Sequence, residues 1–322
     1  MSPILEVRNL RTHFFTKGGV LKAVDGVSFE IGAGEIIGLV GESGSGKSIT
    51  GFSILGLIDS PGRIVGGQIM FKGKDLITRT PVEMQKMRGR RIAMIFQDPM
   101  MTLNPVLRIE TQMIEAIQAH DSSVSRVDAR QRSRDALGLV GISSPDERMR
   151  AYPHQFSGGM RQRVSIAIAM LNHPDLIIAD EPTTALDVTI QGQVIHEIQK
   201  LCKKTKTALL WITHDLAVVA GISNRICVMY AGRIVEQGSN EALIGNPMHP
   251  YTNGLLGSVP TQNRRGKPLL QIEGMVPSLL SLPAGCAFEN RCNNALLKCS
   301  QSAPNEVTMD DQRILRCFNR IK

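Results

Sequence analysis

The sequence predicts an α/β fold built on a parallel sheet, with a helical insertion and a small cysteine-bearing tail. Three observations carry that prediction. Glu35-Ile36-Ile37-Gly38-Leu39-Val40 is a nearly continuous apolar run, the pattern of a strand buried on both faces. It leads straight into Gly41-Glu42-Ser43-Gly44-Ser45-Gly46-Lys47-Ser48 and then a helical stretch. Two later apolar runs, Leu176-Ile177-Ile178-Ala179 and Ala208-Leu209-Leu210-Trp211-Ile212, also end in polar side chains. Ligands of open α/β sheets gather at such strand ends.

The first of these elements already implies chemistry. Residues 41–48 match G-x-x-x-x-G-K-[ST]. Glycines let a backbone wrap until successive N–H groups face phosphate oxygens, and the following helix adds its positive end. Lys47 is placed to reach the β and γ phosphates, and the Ser48 hydroxyl to take one position on Mg²⁺. A glycine-rich turn with a chance lysine would not need a strand before it and a helix after it.

The chain has 322 residues, room for one large domain and an appendage, and is 42% hydrophobic and 20% charged, an ordinary globular composition. Its formal charge of +8 suits nucleic acid, an anionic lipid surface or an acidic partner. Aromatics are only 4%, and Lys and Arg are spread along the chain, which argues against base stacking on a basic patch. No apolar run approaches the roughly 20 residues of a bilayer span. Met1-Ser2-Pro3-Ile4-Leu5-Glu6 has no basic region before an apolar core, so no signal peptide is expected. Six cysteines in that context point to a reducing compartment rather than to disulfides.

Residues 4–31 alternate apolar and polar in short runs, as a small antiparallel sheet would. Phe14-Phe15 precedes the turn signal Lys17-Gly18-Gly19; either ring is core packing or a face for adenine. Pro61-Gly62 and Gly66-Gly67 bracket a short β segment, residues 68–73. Arg91-Ile92-Ala93-Met94-Ile95-Phe96 is another strand, and Gln97 at its end is either a γ-phosphate or Mg²⁺ sensor or a glutamine exposed to water. From about 102 to 150 the period turns helical through Met113-Ile114, Ile117, Ala136-Leu137 and Leu139-Val140, with a loop at Ser122-Ser123-Val124-Ser125. Ser157 reads as the cap of a helix that begins Gly158-Gly159-Met160 and continues through 164–171. Asp180 and Glu181 end the most apolar strand; the first suits Mg²⁺, the second an attacking water. After Thr183-Thr184-Ala185-Leu186-Asp187 comes an amphipathic helix with Ile190, Val194, Ile198 and Leu201 on one side. His214 closes the next strand, and a hairpin over 225–238 turns at Ala231-Gly232.

These segments, in this order over about residues 4–250, resemble the ATP-binding cassette (ABC) transporter ATPases. The resemblance implies a P-loop NTPase (RecA-like) core with an antiparallel β subdomain, a helical subdomain at about 98–170 and an extension at 251–322. It makes Gly41, Ser43, Gly44, Ser45, Gly46, Lys47, Ser48 and Ile49 the phosphate-binding set and Phe14 the adenine-stacking aromatic. Gln97 becomes the Q-loop, and Ser157, Gly158 and Gly159 open the signature, with Met160 where glutamine is more usual. Asp180 and Glu181 are then the Walker B pair, Asp187 lies in the D-loop, and His214 is the switch histidine. Ser48, Gln97 and Asp180 are the implied Mg²⁺ residues, and Glu181, His214 and Gln97 the catalytic ones.

Phe96-Gln97-Asp98-Pro99-Met100, Leu103-Asn104-Pro105, Tyr152-Pro153-His154-Gln155 and His249-Pro250-Tyr251-Thr252 are similar to the dipeptide and oligopeptide permease branch. That likeness implies import of peptides, with relatives for nickel, glutathione and other small solutes sharing much of the text. It also implies a second cassette (a heterodimer, with a homodimer as the alternative), two transmembrane permeases, an extracytoplasmic binding protein and a place on the cytoplasmic face of the inner membrane. No nucleic acid is expected. A chromosome or DNA-repair ATPase would carry a long coiled coil between Gln97 and Ser157; a soluble translation-type ATPase, two cassettes; an iron–sulfur electron carrier would need neither the signature nor His214.

The tail holds Cys286, Cys292, Cys299 and Cys317 as C-x5-C-x6-C-x17-C, in a segment with little periodicity of its own. Such a module needs a staple, and four thiolates suit Zn²⁺ or an iron–sulfur cluster. Similar tails in dipeptide-permease ATPases imply a [4Fe–4S] cluster. Cys202 and Cys227 lie in apolar core segments and read as packing residues.

Overall fold

The computed structural model describes residues 2–184, 186–258 and 271–321, without the side chains of Val188 and Leu201. Ala185 and the Leu201 side chain, both named above, therefore lie outside the described residues. The chain divides into two compact units drawn from separate stretches. One holds Gly32–Glu35 and Thr78–Leu210, and the other Ser2–Ile31, Ile36–Ile77 and Trp211–Lys322.

In the second unit, Leu5–Thr16 turns back on Gly19–Ile31, pairing Leu5 with Ile31 and Thr16 with Gly19. Its buried residues Leu5, Val7 and Leu10 alternate in register with a bulge at Asn9, whose φ is 47°. The other edge of Leu5–Thr16 takes Gly62–Phe71, then Lys74–Asp75. This corrects the expected short segment: the strand runs through Gly66-Gly67 instead of starting after it. Arg8 pairs with Gln68 and Arg11 with Gly66, so the glycines sit opposite the bulge. A Cβ on Gly67, at φ +92°, would meet the Asn9 carbonyl oxygen at 2.5 Å. Glycine here marks close backbone approach inside a strand rather than a turn.

The same unit holds a second sheet in the order Val307–Thr308, Ile314–Leu315, Arg233–Ser239, Arg225–Tyr230, Ile36–Val40. Every residue of Ile36–Val40 is buried, and the strand runs parallel to Arg225–Tyr230. The expected hairpin turns at Ala231 and Gly232, both at positive φ, as a two-residue turn matched to strand twist requires. The tail contributes a strand of its own: Ile314 and Leu315 pair with Gln237 and Glu236 on the hairpin's edge. The tail is thus tied down by backbone pairing as well as by whatever its cysteines do.

In the first unit, Ile92–Ile95 lies parallel to Leu176–Asp180. The helical stretch resolves into Ile109–Gln118, Arg126–Leu139 and Pro145–Met149, followed by Gly158–Met170. Met113, Ile114, Ile117, Leu137 and Val140 are buried as their spacing predicts, whereas Leu139 is half exposed. A helix at Pro81–Met87 has no counterpart in the sequence reading. Its signal was present: Thr80 and Glu83 form a capping box, the Glu83 N–H donating to Thr80 Oγ1 at 3.3 Å and the Thr80 N–H to Glu83 Oε2 at 2.9 Å. Val188–Thr205 buries Val194 and Ile198, with Ile190 half-buried. Among the described residues no helix is long and apolar enough to cross a membrane.

Candidate nucleotide site

In the second unit the glycine loop leaves the buried strand Ile36–Val40 and enters the helix Lys47–Leu55. Its glycines answer to different constraints. A Cβ on Gly41 would stand 2.1 Å from the Met229 carbonyl oxygen, and one on Gly46 2.1 Å from that of Ala23. Gly44 has open space around it but sits at φ +77°, a conformation that L side chains rarely adopt. Gly46 is the left-handed N-cap of the helix and brings no side chain to cap it, so the helix end stays bare of competing oxygen. Lys47 is 6% exposed; its Nζ donates to the carbonyl oxygens of Gly41 and Glu42 at 2.7 and 2.9 Å and curls the loop around itself. Ser48 and Ile49, both half-buried, follow in the first helical turn, while Ser43 is exposed and Ser45 buried. A helix start without a side-chain cap, wrapped glycines and an ammonium in the loop are features that favour an anion.

Three hydrogen bonds support this loop from far along the chain, one to Tyr251 of the motif at 249–252 and two from Arg291, which belongs to no motif. The Glu42 N–H donates to the Tyr251 hydroxyl at 2.8 Å, and the Glu42 carboxylate is gripped by Arg291 through two hydrogen bonds, 2.6 and 3.0 Å. Burial pushes the Tyr251 hydroxyl pKa up. No local pattern could have signalled a pair 249 residues apart.

His214 lies in this unit, exposed at the carboxyl end of Ala208–Thr213. The next residue, Asp215, caps the helix Leu216–Ile222 by accepting from the Ala217 N–H at 2.8 Å. The two phenylalanines differ. Phe14 is half-buried, and a Cβ on Gly62 would come within 2.5 Å of its ring. Phe15 is 39% exposed, with the Arg63 guanidinium 4.2 Å above its centroid.

The first unit carries the remaining motif residues. Gln97 is exposed just beyond Ile92–Ile95. The preceding carbonyl, of Phe96, accepts from the buried Gln162 Nε2 at 3.3 Å, which joins this strand end to the helix Gly158–Met170. Asp180 is 3% exposed at the end of Leu176–Asp180. Glu181 follows at φ +46°, a sparsely populated conformation for a side chain with a Cβ. The Thr184 hydroxyl donates to Glu181 Oε2 at 3.0 Å and fixes where that carboxylate points. Ser157 caps its helix by accepting from the Met160 N–H at 3.3 Å; it and Gly158 are exposed, with no atom near where a Gly158 Cβ would be. Asp187 accepts from the Ile190 N–H at 3.0 Å, capping Val188–Thr205.

The tail cysteines gather without forming a ligand set. Cys286, Cys292 and Cys317 are half-buried and Cys299 is buried. Burial raises the thiol pKa of the first three, with neighbouring cysteine charge adding to it, and Cys317 is pushed up to about 11. The Cys286 N–H donates to the Cys299 carbonyl oxygen at 2.7 Å. Yet among the described residues no group of three or more His, Cys, Asp or Glu side chains stands in ligating geometry. The four thiols are the right donor type for a soft metal. Cys202 and Cys227 are 1% exposed packing residues, and burial pushes the Cys202 thiol up to about 12.

The chain matches the model of the ABC transporter family over residues 24–184 and that of the oligopeptide/dipeptide transporter C-terminal region over 235–299. It is 49% identical over 319 residues to the oligopeptide transport ATP-binding protein AppD of Bacillus subtilis (strain 168), covering 99% of this chain and 97% of that one. It is 45% identical over 319 residues to the oligopeptide transport ATP-binding protein OppD of Escherichia coli (strain K12), covering 99% and 94%. Among solved structures it resembles a dimeric post-hydrolysis state of the ATP-binding cassette MJ0796 bound to ADP and Pi, with TM-score 0.68 and 25% identity over 73% of this chain and 98% of that one. With a glycine-cradled loop on a buried strand and relatives matching over nearly its whole length, the chain belongs to the ABC transporter ATP-binding family, in the oligopeptide and dipeptide branch.

Proposed function

We propose that this chain is the ATP-hydrolysing subunit of an importer of di- or oligopeptides. The observation that carries the proposal is the glycine cradle of residues 41–48 on a chain that also matches the peptide-transporter C-terminal region. In this reading Gly41, Ser43, Gly44, Ser45, Gly46, Lys47, Ser48 and Ile49 hold the triphosphate, and Phe14 stacks adenine. Ser48, Gln97 and Asp180 serve Mg²⁺, which when bound offsets charge on the phosphoryl oxygens. Glu181, aimed by Thr184, takes the proton of the attacking water, and His214 steadies the γ-phosphate. Gln97 answers to the permeases.

The exposed Ser157 and Gly158 at a helix start support a role toward the nucleotide of a second cassette, since the positive end of a helix attracts phosphate. ATP between two cassettes then closes the pair, and hydrolysis reopens it, because only the γ-phosphate distinguishes the two states. The second cassette is a different chain of the same family, docked with it on two permeases at the cytoplasmic face of the inner membrane and fed by an extracytoplasmic binding protein. The four tail cysteines hold a [4Fe–4S] cluster, with Zn²⁺ the alternative, and a structural role suits either. The assembled complex should hydrolyse ATP faster when peptide-loaded binding protein is added, whereas this chain alone should be nearly inactive. Full activity from a monomeric sample contradicts the two-cassette mechanism.

A further inference from the structure

The segment that bears the tail cysteines forms part of the wall behind the phosphate loop. Arg291 lies between Cys286 and Cys292, and its side chain is 5% exposed. Both arms of its guanidinium hold the Glu42 carboxylate, while its Nε donates to the Glu273 carbonyl oxygen at 2.9 Å and one terminal nitrogen to that of Ile272 at 3.3 Å. The guanidinium is therefore fixed by its own tail segment before it meets the loop. Phe288, three residues earlier, packs its ring 5.2 Å from Tyr230 and 5.3 Å from Tyr251, the same Tyr251 that accepts from the Glu42 N–H. The tail thus fixes Glu42 by its side chain directly and by its backbone through Tyr251.

Glu42 puts a negative charge in a loop shaped for polyphosphate, where a like charge opposes binding. A bidentate guanidinium neutralises that carboxylate and holds its peptide in one geometry. We propose that Arg291 is a positioning residue of the nucleotide site: from the tail it pairs with and neutralises the Glu42 carboxylate of the phosphate loop, and so raises the loop's affinity for nucleotide. This rests on the reading of residues 41–48 as the ATP cradle and adds to it a second segment of chain that the motif does not contain.

The test is equilibrium binding of a fluorescent ATP analogue with Mg²⁺ to the full chain, in wild type, Arg291→Gln, Glu42→Gln and the double variant. Arg291→Gln leaves Glu42 unpaired and should weaken binding on the order of tenfold, the size of one hydrogen bond to a charged group. Glu42→Gln alone should change it by no more than about threefold, and the double variant should recover to within about threefold of wild type, since no charge is left without a partner. Recovery of that kind is not expected of a residue that merely keeps the tail folded. If Arg291→Gln is not obtained folded, Arg291→Lys, which keeps the charge and loses the fork, should weaken binding by an intermediate amount. Folded Arg291→Gln binding like wild type, or a double variant as weak as the single one, overturns the proposal. A wild-type chain that binds no better than Lys47→Ala overturns the cradle itself, and this proposal with it.

Discussion

Arg313 and Glu236 form an ion pair at 3.2 Å in which neither side chain is more than 3% exposed. The pair joins the tail to the edge of the second unit's sheet, next to the pairing of Leu315 with Glu236. It is also well furnished with further bonds. Glu236 accepts from the N–H groups of Met248 and His249 at 2.9 and 3.0 Å, and Arg313 donates to Asp311 and to the carbonyl oxygens of Asn246 and Ala242.

Glu236→Ala leaves Arg313 with Asp311 as its remaining carboxylate partner and leaves the Met248 and His249 N–H groups without their acceptor, and should cost about 1–3 kcal/mol. Thermal unfolding of the full chain reads this as a clear fall in midpoint, with early proteolytic release of the tail. A midpoint equal to wild type would show that the tail strand adds nothing to the fold.

His249 supplies a pH dependence. It is 2% exposed, its Nδ1 accepts from the Tyr251 N–H at 3.0 Å, and burial holds its pKa down at about 4. The folded state therefore binds this proton more weakly than the unfolded chain, whose histidine titrates near 6.5. Its contribution is complete above about pH 6.5 and is lost as pH falls toward 4, at about 1.4 kcal/mol per unit through that window. Unfolding midpoints measured from pH 7 to 4 should fall less steeply for His249→Asn than for wild type. Parallel slopes contradict the assignment.

The cysteine module makes a chemical prediction. Protein purified without oxygen should be brown and contain iron and sulfide, and replacing Cys299 with Ser should bleach it, because four thiolates are the usual ligand set of such a cluster. Colourless protein with stoichiometric zinc contradicts the cluster.

Local signals made much of this fold legible. The strand, loop and helix over residues 35–56 announce themselves because each constraint, burial, positive φ and the lysine, falls on neighbouring residues. The carboxylates Asp180 and Glu181 are legible for the same reason. The helix Pro81–Met87 had its signal in Thr80 and Glu83, but its seven residues bury only Met84, too little for a periodic pattern. Gly66-Gly67 misleads because a glycine pair marks a bulge as readily as a turn. Cysteine spacing shows that four thiols share a module and says nothing of whether their side chains converge. The grip of Arg291 on Glu42 is silent in sequence because it joins a tail without periodicity to a motif position that tolerates any residue.

The most direct measurement of the central claim is ATP turnover by Glu181→Gln in the assembled transporter. Glutamine keeps the shape of the side chain and its hydrogen bond from Thr184 while removing the base. ATP should still bind, and turnover should fall by about 10²–10⁴-fold. Turnover near the wild-type rate would contradict the account of this chain as the hydrolysing subunit through Glu181.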